Sequence, residues 1–196
     1  MGNTGRVLSR RFDDAFLYAA SLHATQTRKG TGVPYLAHLM SVAALVLEDG
    51  GDEDEAIAAL LHDSVEDQDA TVDQIRERFG DKVARIVDAC TDSDVKPKPP
   101  WEERKTRYVE HARHAPPDVV RVSAADKLHN ARSVLADYRV LGDELWSRFN
   151  ARRDQTLWYY RELVTAFREA GGGPLVDELD RVVSRLEREV AARGSG

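Results

Sequence analysis

The segment Leu60-Leu61-His62-Asp63-Ser64-Val65-Glu66-Asp67 sets one imidazole and three carboxylates directly after an apolar stretch. If the preceding helix continues, His62 and Glu66 share a face, as do Asp63 and Asp67, and Asp63 neighbours Glu66. Three carboxylates packed together repel one another unless something cationic sits among them. Imidazole and carboxylate together suit a transition-metal dication. The alternative is a helix that ends in a solvated acidic turn. Two distant positions bear on the choice. His38 lies near the start of another apolar segment. Asp126 follows two alanines in Ser123-Ala124-Ala125-Asp126-Lys127-Leu128-His129-Asn130. A carboxylate in so apolar a helix should not be buried without a partner. Taken singly, His38 reads as a satisfied helix histidine and Asp126 as a surface carboxylate paired with Lys127 or Arg132. Taken together, three separate helices offer ligand side chains.

The elements that must position them are all helical. Ser9 or Asp13 opens a first helix running to about Thr27, with Phe12, Phe16, Leu17, Ala20 and His23 at helical spacing. A loop with two glycines and the cations Arg28 and Lys29 follows, and Pro34 suits the first position of a helix that reaches Glu48. Gly50 and Gly51 end it. Asp52 and Glu55 form a capping box for the helix leading to His62. Thr71 and Gln74 form another, for a helix that stops at Gly80. Asp81 to Ala89 is helical. Asp92 to Pro100, with three prolines, is a loop, expected to be mobile and to lie beside the site. Helices follow over Glu102–Ala115, Asp118–Tyr138, Leu145–Ala170 and from Leu175 to Val190. Arg104, Lys105 and Arg107 give the first of these a basic start, read as a solvated face or as cations for a phosphorylated ligand. No strand is expected, and no linker divides two domains, so the expectation is an all-α, single-domain helical bundle.

Composition narrows the classes. With 42% hydrophobic and 32% charged residues, 196 residues suffice for a well-solvated globular domain. A net charge of −6 argues against a surface that coats nucleic acid. The single cysteine, Cys90, excludes an intramolecular disulfide and a cysteine-based zinc finger. No apolar run is long enough to span a membrane, and Met1 to Arg11 lacks the apolar core of a secretory signal. A cytoplasmic protein is expected. Residues 1–8 carry little pattern and are expected to be flexible. A homo-oligomer is compatible with the sequence.

The order His, His-Asp, Asp resembles the ligand pattern of the HD phosphohydrolase superfamily. More closely, the chain is similar to the hydrolase domain of the RelA/SpoT alarmone enzymes, and especially to the stand-alone small alarmone hydrolases. The matching stretches are Arg28-Lys29 before Pro34-Tyr35 and His38, Ala58 to Asp63 with Glu66-Asp67, Phe79-Gly80, Thr91-Asp92, and Asp126 to Asn130. They cover roughly Phe12 to Phe167, and no synthetase domain is expected to follow. The resemblance implies one metal-dependent phosphohydrolase domain over residues 9–192. It implies that His38, His62, Asp63 and Asp126 hold one divalent metal, usually manganese. Glu66 and Asp67 would position or deprotonate the attacking water. Arg28 would pack on the purine, Lys29 would meet phosphate, and Asn130 with Ser133 would contact ribose or the 5′ phosphates. Ser133 stands where the long enzymes tend to have threonine, and keeps the hydroxyl.

The implied reaction removes the 3′-pyrophosphate of (p)ppGpp or (p)ppApp. Nitrogen and oxygen ligands fit manganese or iron better than a structural zinc. Two other readings stand beside it. One is a phosphatase for a different phosphorylated nucleotide, such as the 2′-phosphate of NADPH. The other is a nucleotide-binding sensor without turnover, against which the pair Glu66-Asp67 argues.

Overall fold

The computed structural model describes residues 8–92 and 97–194, and helix is the regular structure throughout them. The expected flexibility of the N-terminus (apart from Leu8) and part of the proline-rich loop expectation lie outside these residues. The chain divides into two compact units, residues 1–94 and 95–196.

The first unit carries α1 (Arg10–Leu22), α2 (Leu36–Glu48), α3 (Glu53–Leu61), α4 (Ser64–Asp67), α5 (Val72–Phe79) and α6 (Asp81–Cys90). α3 is its axis, packing against α1, α2 and α6. Ala56 to Leu61 are all buried, the pattern of a helix apolar on every side. Its start is the expected capping box: the Asp52 side chain accepts from Glu55 N, and Asp52 N donates to Glu55. Thr71 and Gln74 repeat the device at α5, and Gly80, at φ +94°, ends that helix. The corner between α2 and α3 is tight. A Cβ on Gly51 would lie 2.5 Å from Val46 Cγ1 and 2.8 Å from Val46 O.

Ser9 caps α1 as expected, but the helix ends at Leu22, not near Thr27. His23 N closes it on Ala19 O, Gln26 N turns back to His23 O, and Thr27 pairs with Pro34 in an isolated β-bridge. Arg28 N donates to Val33 O across that loop, at 2.8 Å. Pro34 thus belongs to the bridge, and Tyr35 caps α2. The helix before His62 does not continue either. α3 stops at Leu61, His62 and Asp63 form a turn, and α4 restarts at Ser64.

In the second unit α7 spans Trp101–Ala112, α8 Pro117–Leu141, α9 Arg153–Glu169 and α10 Pro174–Gly194. Pro117 occupies the first turn of α8, where no N–H is missed. α10 packs on α8 and α9, and α7 on α9. Arg161 reaches Asp180 and Glu187, both at 2.5 Å, and Arg139 reaches Glu189 at 2.8 Å. Such half-exposed pairs add little stability each but set the register of α10 on its neighbours. The expected helix over Leu145–Ala170 is shortened. Gly142, at φ +60°, ends α8, and Gly142–Arg148 forms a 3-10 turn. Local bonds fit that tighter winding: Trp146 Nε1 donates to Asp143, and Ser147 Oγ to Glu144 O.

Candidate metal centre

In the first unit two imidazoles and a carboxylate converge. α2 presents His38 in its first turn, and His62 follows the last residue of α3. Both rings are buried, at 0% and 2% exposure. Their Nε2 atoms lie 3.7 Å and 2.9 Å from Asp63 Oδ2. The break after Leu61 makes this possible, because the turn at His62-Asp63 swings the carboxylate back toward the rings. His62 Nδ1 sits 2.8 Å from Ala59 O. A carbonyl only accepts, so Nδ1 carries a proton, and Nε2 is the nitrogen turned toward Asp63. Tyr35 OH donates to Asp63 Oδ2 at 2.5 Å. Its ring stacks on His23 and meets the edge of His38, each at 5.3 Å between centroids.

Glu66 and Asp67 follow on α4. Glu66 is half-buried and accepts from Asp92 N at 3.4 Å, while Asp67 is exposed and accepts from Gln26 Nε2 at 2.9 Å. Arg28 is half-buried and Lys29 exposed in the loop before Pro34. Gln26 and Tyr35 were given no role by sequence reasoning. Tyr35 lay inside a matching stretch, whereas Gln26 carried no signal, its partner being 41 residues away.

In the second unit Asp126 is buried, not on the surface, at 5% exposure. Lys127 Nζ lies 2.6 Å from its Oδ2, and Asn130 Nδ2 donates to its Oδ1 at 2.6 Å. Arg132, the other partner considered, pairs with Glu178 instead. Burial opposes the charge on Lys127. The Asp126 carboxylate nevertheless holds its pKa well above the ordinary value, helped by the phenols of Tyr108 and Tyr159. Ser133 Oγ donates to His129 O, one turn back on its own helix. Of the three early cations of α7, Arg104 bonds Pro99 O, Lys105 covers the Tyr159 ring and Arg107 is exposed.

Among the described residues, His38 and His62 of the first unit and Asp126 of the second are each buried and each carry a side chain of a metal-binding type. The donor chemistry fits a divalent cation. The nitrogens are imidazole donors and the oxygens carboxylate donors, with no thiolate among them to select a softer ion. No helix among the described residues is long and apolar enough to cross a membrane.

Comparison with known proteins gives the family. The HD domain family matches residues 15–156, well over half of the chain. The chain is similar to guanosine-3′,5′-bis(diphosphate) 3′-pyrophosphohydrolase MESH1 of Mus musculus, 42% identical over 120 residues, covering 60% of this chain and 65% of that protein. It is similar to the guanosine-3′,5′-bis(diphosphate) 3′-pyrophosphohydrolase of Aquifex aeolicus, 37% identical over 121 residues, which make up 61% of this chain and 17% of that protein. Among solved structures, a metazoan ortholog of SpoT described as hydrolyzing ppGpp aligns with a TM-score of 0.79 at 29% identity, over 95% of this chain and 99% of that one. A Listeria monocytogenes protein aligns at 0.70 and 33% identity, over 76% and 97%. The chain thus spans just under two thirds of the length of the mouse relative. From the residues matched and the ligands they carry, the chain belongs to the HD domain family.

Proposed function

We propose that this chain is a metal-dependent hydrolase that removes the 3′-pyrophosphate from (p)ppGpp or (p)ppApp. The observation that carries the reading is the approach of the His38 and His62 Nε2 atoms to Asp63, with His62 Nδ1 bonded to Ala59 O. The relatives named as guanosine-3′,5′-bis(diphosphate) 3′-pyrophosphohydrolases supply the substrate class.

His38, His62, Asp63 and Asp126 would hold one ion, which we assign as manganese on its preference for nitrogen and oxygen donors. A dication there would acidify water and offset charge on the phosphoryl oxygens. The remaining roles belong to the chain. Glu66 and Asp67, on the short helix after the ligands, accept a proton from the attacking water or orient it in line with the 3′ phosphorus. Asn130 holds Asp126 in place, and with Ser133 meets the ribose or the 5′ phosphates. Arg28 packs on the purine and Lys29 meets phosphate. The products are pyrophosphate and a nucleoside that keeps its 5′ phosphates. A cytoplasmic location is part of this proposal.

The test is a panel of guanosine and adenosine 3′-pyrophosphates and NADPH, assayed on chelator-treated protein with and without added manganese. Manganese-dependent release of pyrophosphate is expected. Inorganic phosphate from NADPH alone would favour the phosphatase reading, and binding without turnover a sensor.

A further inference from the structure

Gln26 lies outside every motif above, yet its side chain joins three others. Its Nε2 donates to Asp67 Oδ2 at 2.9 Å. Its Oε1 lies 2.5 Å from His23 Nδ1 and accepts from Gln68 Nε2 at 2.6 Å. The orientation of the amide follows from the partners. An ionised carboxylate only accepts, so the nitrogen must face Asp67 and the oxygen must face His23. His23 Nδ1 therefore carries a proton, and its ring is buried at 2% exposure and stacked on Tyr35. With two donors on its oxygen, the amide cannot flip without leaving both unpaired. The backbone of Gln26 is anchored as well. Its carbonyl accepts from Tyr35 N at 2.9 Å, and its N–H donates to His23 O at 3.1 Å.

We infer that Gln26 is a positioning residue that fixes the Asp67 carboxylate in one orientation for its work on the attacking water. The inference rests on the hydrolase reading above. Asp67 is an exposed aspartate at the end of a four-residue helix. The Gln26 amide supplies a donor of fixed direction, braced by His23 and Gln68 on α1's exit and α4's exit. A misplaced catalytic group costs up to about 10²-fold in rate, so loss of the amide should lower kcat by roughly ten- to a hundredfold and leave KM nearly unchanged.

The experiment is a kinetic cycle of Gln26→Leu, Asp67→Asn and the double variant, with Gln26→Glu as the shape-conserving partner. Gln26→Glu keeps an acceptor for His23 and Gln68 but turns a second carboxylate on Asp67. If Gln26 acts through Asp67, Gln26→Leu slows the wild type and has no further effect once Asp67 is Asn. Gln26→Glu should also lower kcat and move the acidic limb of its pH profile upward. Additive losses in the cycle, or a Gln26→Glu enzyme with wild-type kcat and pH profile, would overturn the inference. A readout independent of turnover accompanies it: the Gln26 side-chain amide resonances should shift in Asp67→Ala. If the wild type releases no pyrophosphate, the hydrolase reading fails. Unshifted amide resonances, by contrast, refute the Gln26 bond itself.

Discussion

Replacing Gly51 by alanine should strain the corner that sets His38 against His62. The new methyl would sit 2.5 Å from Val46 Cγ1, 2.8 Å from Val46 O and 3.0 Å from Glu55 Oε2. Carbon atoms in good contact lie about 3.5–4.0 Å apart, so something must retreat by several tenths of an ångström or more. Val46 is fully buried, and a valine on a helix has one strongly preferred rotamer. Its carbonyl cannot yield cheaply either, because it accepts from Gly51 N at 2.8 Å. Glu55 is committed to the capping box. Overpacking of this kind costs about 1–3 kcal/mol. For a chain of this size that corresponds to a Tm lower by about 2–12 °C. The two helices that open apart are those bearing His38 and His62, so affinity for a divalent ion should fall with Tm. Calorimetric unfolding and a manganese titration measure both. Gly32→Ala is the control, since nothing lies within 4 Å of its Cβ. Equal Tm values for Gly51→Ala and Gly32→Ala would refute the packing argument, and unchanged affinity in a destabilised variant would refute its link to the ligands.

Elemental analysis of His62→Ala and Asp126→Ala proteins should show loss of the ion, while His114→Ala, altered at an exposed ring, keeps it; full occupancy in the first two would dismiss the ligand set. Glu66→Gln and Asp67→Asn should retain metal and fold but lose about 10²–10⁴-fold in turnover, and steady-state rates near wild type for both would remove their catalytic role. Glu189 is held at about 2, first by its hydrogen bonds to Arg139 and Arg185. A carboxylate depressed in the folded state stabilises above its unfolded pKa, and that contribution is lost as pH falls through the folded value. The Tm difference between wild type and Glu189→Gln should therefore be largest above about pH 4.5 and vanish toward pH 2; a difference independent of pH would show that the ion pairs do not anchor α10.

The parts of the fold readable in advance were those set by neighbours in sequence. Asp52 with Glu55 and Thr71 with Gln74 each act within one turn, so spacing alone reports them. The break after Leu61 was not readable, because the charges beyond it keep helical spacing. What turns the chain there is tertiary: Asp63 meets Tyr35 and two imidazoles, and Tyr35 lies 28 residues away. The 3-10 turn before α9 escaped for a similar reason. Leu145, Trp146 and Phe149 have the apolar pattern of a helix, and the backbone departs from it at Gly142. In the site, residue types and order pointed to His38, His62, Asp63 and Asp126. The glutamine and tyrosine that orient the carboxylates could be seen only once the loop from Thr27 to Pro34 was closed.

The Nδ1 proton of His62 is bound by a peptide carbonyl, that of Ala59. An acceptor of that kind is immune to point substitution, because every amino acid at position 59 supplies the same oxygen. Genetic drift can change what a supporting aspartate or asparagine would have offered, but here no codon change removes the acceptor itself. Selection at Ala59 then acts on volume alone, since the side chain is wholly buried. Variants that rotate this imidazole must do so by displacing the backbone of α3, and they will be found among those that also lose the fold.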